Sequence, residues 1–479
     1  MPETRTTAEN FSETEQARRR ETERLGTDAI VPLVLRLSLP AMIGLLVSSL
    51  YAFVDRIFIG NFVGEIGLAA MNAAIPFMTF IFAFSILIGR GCSVIYSLAL
   101  GRRDYDEAGK IFTQGMFLHL ATSLVLMAFG LSFLPHILTL LGAPEVALGH
   151  AVSYMSIVLW GTPFAMMLMQ NHLIRAEGAS SYAMVTQVVG ALLNVFLDWV
   201  LMAGFDMGMR GAAIATVVSQ AVSVSMVLWF FVRRSVIQIH LSNFLPTASV
   251  FKRVLFNGAT PFLFHFVAML TWSIQNHMIQ AHAVESGHQV AAGMAAFGII
   301  MSLHHLIMTP VLGLSMGMQP LIGYNIAAGR FRRVRKIFMV SIGLSMVLVM
   351  IPYLIVQVFA GGVIALFGSE GASLALGVYT LRRYVILMPL GSTTALFAHY
   401  FQGTGQAGKA LLISFVRQVL FALPLMIFLP KFWGYDGIVF AFPIAECFGM
   451  LFGVAIMVVE LGKLKKLELG EQAALEGAI

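Results

Sequence analysis

Residues 100–112 read LGRRDYDEAGKIF, and residues 328–338 read AGRFRRVRKIF. Each is a glycine-led charged loop entering an apolar stretch, and each follows an unusually long apolar run, 68–100 or 292–325. The echo continues downstream. LLGAPE around Gly142 answers LFGSEG around Gly368, and MRGAAIA around Gly211 answers YDGIVFA around Gly437. Upstream, Pro40 answers Pro261, if the extra residues of the second copy lie in the longer loop around VESGHQV. One separation of about 226 residues therefore relates most of the first half to the second, the mark of an internal duplication.

The repeating unit is hydrophobic throughout. Apolar runs of about 20 residues are expected near 32–60, 68–100, 112–133, 150–174, 182–203, 210–232, 255–281, 292–325, 336–360, 376–402, 409–430 and 437–461, each long enough to cross a bilayer as a helix. The expected fold class is thus all-α integral membrane, with twelve transmembrane helices in two six-helix repeats. A shift of six spans preserves direction, so the repeats are parallel and related by an axis along the membrane normal, an arrangement that puts the substrate site between them. The expected organisation is an N-terminal tail at 1–31, a first lobe at 32–232, a linker at 233–254, a second lobe at 255–461 and a C-terminal tail at 462–479.

Composition agrees. Hydrophobic residues make up 58% of the 479 and charged residues only 11%, with a mean hydropathy of +0.84, which excludes a soluble globular protein. The 38 Phe and 29 Met mostly supply packing and lipid-facing surface, and some would suit an adaptable pocket for flat hydrophobic ligands. Lys and Arg concentrate in the loops on the side of the two termini. The opposite side carries only Arg56, Arg210, Arg382, Arg383 and Lys431, so both termini are expected in the cytoplasm. The net charge of +6 is therefore a topology signal and implies no nucleic-acid partner. Cys92 and Cys447 lie in apolar runs and predict neither a disulfide nor a metal site. No HExxH, G-x-S-x-G or Walker motif is present, so no enzyme activity, metal or other cofactor is expected and no ATP drives the protein.

Charge inside the apolar runs is sparse, which makes it informative. Asp55 and Asp198 each lie about six residues from the outer end of an outward-running span, and Thr216 about six residues into an inward-running one. At 1.5 Å per residue all three fall roughly 9 Å below the outer boundary. Asn194 shares a helix face with Asp198 at i, i+4. An ionised side chain at such depth costs roughly 2.5–3.5 kcal/mol on insertion scales. Two acids confined together in a low dielectric compete to remain ionised, which suits one of them to carrying a proton. The same oxygens with the Asn194 amide and the Thr216 hydroxyl would equally suit Na+, a hard cation. The bland alternative is that Asp55 caps a helix or pairs with Arg56 while Asp198 bonds a neighbour. In the second half, Arg417 and Glu446 approach mid-membrane and read as a structural pair, with Glu446 otherwise lending negative potential to a substrate cleft. Gln275 and Asn276 are candidate cleft-lining groups, His304 and His305 read as core histidines, and Arg90 falls outside the pattern.

VDRIFIGNFVG at 54–64, LGRRDYDEA at 100–108, NHLIRAEG at 171–178 and QPLIGYNIAAGRFRRV at 319–334 resemble the multidrug and toxic compound extrusion (MATE) transporters, and most of all their bacterial multidrug branch. That resemblance implies a V-shaped pair of six-helix bundles in the bacterial inner membrane, exporting organic cations in exchange for H+ or Na+; the pair of halves within one chain further suggests that each chain can work alone. The resemblance also implies a cation site at Asp55, Asn194, Asp198 and Thr216, with Asn171 as a further member, and a kink-forming proline at Pro40. The sequence departs from one branch that binds Na+ in its second half: PFLFHFVAML at 261–270 and LMPLGSTTALF at 387–397 hold no carboxylate. Coupling is therefore expected in the first half, with H+ preferred over Na+. The competing reading is a lipid-linked saccharide flippase of the same broad superfamily. A strongly cationic cavity is expected there, and here Arg90 and Arg417 are the only arginines deep in the spans.

Overall fold

A computed structural model describes residues 26–102, 104–237, 244 and 247–476. The expected N-terminal tail falls mostly outside the described residues, and the linker and C-terminal tail fall partly outside them. Among the described residues the regular structure is entirely helical. The first half comprises α1 (Ile30–Phe62), α2 (Glu65–Gly101), α3 (Tyr105–Leu140), α4 (Glu145–Trp160), α5 (Thr162–Met167), α6 (Asn171–Ala176), α7 (Ser180–Asp198) and α8 (Gly208–Arg233). The second comprises α9 (Ala248–Ala283), α10 (Val290–Ala327), α11 (Phe331–Val358), α12 (Ala360–Ala365), α13 (Gly371–Tyr384), α14 (Met388–Gly403), α15 (Ala407–Phe415), α16 (Leu423–Trp433) and α17 (Tyr435–Glu476). Among the described residues, ten helical segments are individually long and apolar enough to cross a membrane, and the α4 with α5–α6 pair, bent by 58° at Gly161, makes an eleventh.

The expected span at 376–402 is broken. Pro389 sits in the first turn of α14, and Val385, Ile386 and Leu387 separate it from α13. A proline disfavours helical geometry in the residue before it, and Arg382 and Arg383 at the end of α13 lower its hydropathy. Neither piece qualifies as a span alone, although together they occupy the expected place. Pro40 lies inside α1, which runs unbroken through it.

The duplication shows in the turns. Gly142 and Gly368, matched in sequence, both sit at positive φ, +91° and +72°, where a side chain would be strained. It also shows in a feature that no motif announces. The fifth long helix of each half passes into a π-helical segment, Trp199–Gly204 after α7 and Val416–Ala422 between α15 and α16.

The two halves touch along two long helix pairs, α1 with α10 and α2 with α9. On the first pair, the Ser38 hydroxyl donates to Leu314 O (3.2 Å), Ser49 and Thr309 share a hydroxyl bond of 2.6 Å, and Arg56 Nη1 donates to Gly298 O. On the second, Phe84 meets Phe262 edge-to-face at 5.1 Å, and Asn72 Nδ2 donates to Asn276 Oδ1 at 3.2 Å. These contacts run from one end of the bundle to the other. The backbones approach most closely at Gly258, where an added Cβ would overlap the Leu87 carbonyl. Without water to expel, helices in a bilayer associate through such close approach of small residues. Gly258→Val should therefore lower stability by about 1–3 kcal/mol through overpacking. Gly343→Ala, at a helical site with nothing within 4 Å of the new methyl, should be neutral or stabilising by up to about 1 kcal/mol. Thermal unfolding of both purified variants in detergent checks the pair, and equal behaviour would contradict the close approach.

Candidate functional site: a buried polar cluster in the first half

Asp55 sits within α1, seven residues before its end, and is 4% exposed. Asp198 is the last residue of α7 before the chain widens into the π-helical turn, and is fully buried. Local π-helix is rare and tends to mark functional positions. Asn194, one turn earlier on the same face, is 2% exposed. The two carboxylates are close enough to interact electrostatically, and both act on the phenols of Tyr51 and Tyr154. Thr216 of α8 lies beside Tyr154 of α4, which brings it to this group. Four helices, α1, α4, α7 and α8, thus converge on one polar cluster.

The cluster is under-satisfied. Asp55 Oδ1, both Asp198 oxygens and both Asn194 amide atoms are buried with no hydrogen-bond partner. Buried polar atoms are paired in the great majority of cases, so several unpaired ones together call for an explanation. The bland readings do not supply it. Asp55 is too deep in α1 to cap it, and Arg56 forms no ion pair with Asp55: its guanidinium instead donates across the interface to Gly298 O. Among the described residues no cation pairs with either acid, and no group of three or more His, Cys, Asp or Glu could hold a metal ion.

Not every candidate joins the cluster. Asn171 is buried elsewhere, its amide exchanging hydrogen bonds with the Thr186 hydroxyl at 3.1 and 3.2 Å. Thr186 lies twelve residues before Asp198 on the same helix, a rise of about 18 Å, so Asn171 is a structural tie between α6 and α7. Gln275 and Asn276 are both buried, and Asn276 is held by Asn72 and by donation to Leu141 O at 3.4 Å. Asn276 therefore works as part of the seam between the halves. Arg417, within the second π-helical segment, pairs with Glu446 Oε1 of α17, leaving Glu446 Oε2 unpartnered. His304 packs against Tyr384 and Phe442 at ring separations of 6.2 and 5.6 Å, as a core histidine does.

Two members of the cluster escape a reading of the sequence alone. Tyr51 precedes Asp55 by one turn, so the i, i+4 rule applied backwards from the acid points to it. Tyr154 lies near the outer start of its span, at a depth comparable to the acids, but only the packing of α4 against α8 shows which way it faces.

Comparison with known proteins gives this geometry a family. The MatE family profile matches residues 40–200 and 268–428, one segment in each half. The multidrug export protein MepA of Staphylococcus aureus (strain MRSA252) is 26% identical over 434 residues, covering 89% of this chain and 93% of its own. MepA of Staphylococcus saprophyticus is likewise 26% identical, over 93% and 96% of the two chains. The solved structure of the MATE multidrug transporter DinF-BH is 31% identical, covers 91% and 97%, and superposes with a TM-score of 0.73. An inward-facing multidrug resistance MATE family transporter reaches a TM-score of 0.80 over 91% and 99% at 24% identity. These relatives are transport proteins, multidrug exporters among them, and the flippase reading is not favoured. A duplicated all-helical membrane protein, matched in both halves over most of its length, belongs to the MATE family of transporters.

Proposed function

We propose that the chain is a secondary active antiporter that exports organic cations in exchange for H+, by alternating access of its two halves from a bacterial inner membrane with both termini in the cytoplasm. The observation that carries this reading is the pair Asp55 and Asp198, buried, mutually interacting and unpaired with any cation among the described residues. A carboxylate pair in that condition stores the cost of ionisation, and taking up a proton relieves it. H+ is favoured over Na+ because Thr216 is only half-buried, while the unpartnered buried oxygens of the cluster belong to Asp55, Asp198 and Asn194. That leaves the two acids and the Asn194 amide oxygen, a smaller oxygen set than hard cations usually gather. The polar seam of Arg56, Asn72 and Asn276 between the halves is the natural element to break and reform during alternation. Since Arg56 adjoins Asp55, a change of charge there is felt at the seam. Each chain holds both halves and works as a single unit.

Exchange of one monovalent cation for one proton moves no net charge, so only the pH gradient drives it. A second proton would add the membrane potential, about 2.3 kcal/mol per 100 mV. Dye efflux from cells, with the proton or the sodium gradient collapsed separately, tests the proposal. Efflux should stop with the first treatment and persist with the second. Persistence with the proton gradient gone would sink H+ coupling, and indifference to both would sink antiport.

A further inference from the structure

The loop that first exposed the duplication also hides an inversion. Aligned on their caps, α3 and α11 begin with opposite charge. Asp104 caps α3, its carboxylate accepting from Glu107 N at 3.0 Å, and Asp106 and Glu107 fill the first turn. In α11 the same places hold Arg330 as the cap residue, then Arg332 and Arg333. Arg330 makes no side-chain capping bond, and α11 has no acid in its first turn. A helix N-terminus carries partial positive charge and exposes free N–H groups, so acids stabilise it and cations oppose it. Three arginines where the duplicate has three acids is an arrangement that only an added anion would favour.

Among the described residues the surroundings supply too little negative charge. Glu468 of α17 pairs with Arg335 at 3.4 Å and Arg332 at 3.8 Å, and Asp28 lies near Arg333. Arg333 Nη2 is spent on the Asp28 carbonyl, while its Nε is buried without a partner. Arg330 and Lys336 pair with no acid among the described residues.

Space is present as well. A cavity of about 350 Å³ is lined by Ile30, Arg330, Arg332, Arg333 and Lys336. It shares Ile30 and Lys336 with a second cavity of about 420 Å³, which reaches Met339, Val340 and Leu461. Met339 and Val340 lie one turn further along α11 than Lys336, away from the basic end. A cationic depression thus adjoins a mainly apolar one, with Arg335 also on the rim of the second, at the bundle end that the basic loops are expected to place in the cytoplasm. A free phosphate would use the cationic depression only, whereas a phospholipid uses both.

We propose that this site, between the start of α1, the first two turns of α11 and α17, binds an anionic phospholipid of the cytoplasmic leaflet. The arginines and Lys336 hold the phosphate, and an acyl chain lies along Met339, Val340 and Leu461. Basic clefts between helices at that face are suited to such headgroups, and guanidinium groups grip phosphate bidentately.

Native mass spectrometry and thermal unfolding of the full chain test it, with phosphatidylglycerol, phosphatidylcholine of the same acyl chains, and inorganic phosphate as probes. Phosphatidylglycerol should be retained and raise the melting temperature, with phosphatidylcholine and inorganic phosphate far weaker. Arg330→Asn with Lys336→Gln keeps the Glu468 pairs and provides a good cap residue, so the fold survives. It should weaken phosphatidylglycerol binding about thirtyfold, as expected for losing two basic contacts to an anionic lipid. Equal retention of the two lipids, an equal effect of inorganic phosphate, or undiminished binding by the double variant would each overturn the proposal. So would binding that requires removal of residues 1–25, since a carboxylate of the chain's own tail would then be the occupant.

Discussion

Asp198→Asn is expected to abolish gradient-driven export while leaving the protein inserted and folded. Asparagine has nearly the same shape, so the fully buried site keeps its packing. It cannot bind and release a proton, however, and it removes the repulsion that Asp55 experiences from its neighbour. Transport in vesicles with an imposed pH gradient should fall by at least about tenfold, a change of about 1.4 kcal/mol or more in the coupled step. Asp55→Asn should behave alike. The double variant should be little worse than either single one, because residues that act as one unit are not additive. Full efflux by Asp198→Asn at normal expression would remove the carboxylate pair from the mechanism. Loss of insertion would instead make Asp198 a structural residue, so the two readings separate on a membrane-fraction blot.

Arg417→Met alone should be the most destabilising single change in the second half, by about 3–5 kcal/mol, because it strands the buried Glu446 carboxylate. Adding Glu446→Gln should restore most of that loss, since an ion pair removed as a unit returns its desolvation cost. Thermal unfolding in detergent reads both. If the double variant also exports normally, the pair only braces α17 against the π-helical segment. If it is stable but inactive, Glu446 joins the transport machinery, and its free Oε2 is then the atom to pursue. No rescue at all would mean that the two side chains do not act on each other.

Much of this protein is legible without coordinates, and the reason is that the relevant physics is local. Hydropathy over twenty residues marks the helices apolar enough to cross a bilayer, and loop charge gives the direction in which they are expected to run. Counting residues from a span's end gives Asp55, Asp198 and Thr216 one expected depth. Matching glycines expose the duplication, and at Gly142 and Gly368 the reason is a turn at positive φ that tolerates little else. Pro389 marks the break within 376–402 as well, although hydropathy alone reads that stretch as continuous.

What the chain's order could not determine is which face each helix turns to its neighbour. One residue of axial rotation swings a side chain by about 100°, and only the full set of packed helices selects the angle. Hence Asn171, plausible by resemblance, is tied to Thr186, and Tyr154 enters the acid cluster unannounced. Arg56 reaches past its neighbouring acid to the other half of the molecule. The two π-helical segments likewise escape a reading of the sequence. Composition and periodicity are properties of a segment, whereas partnership is a property of the assembled bundle.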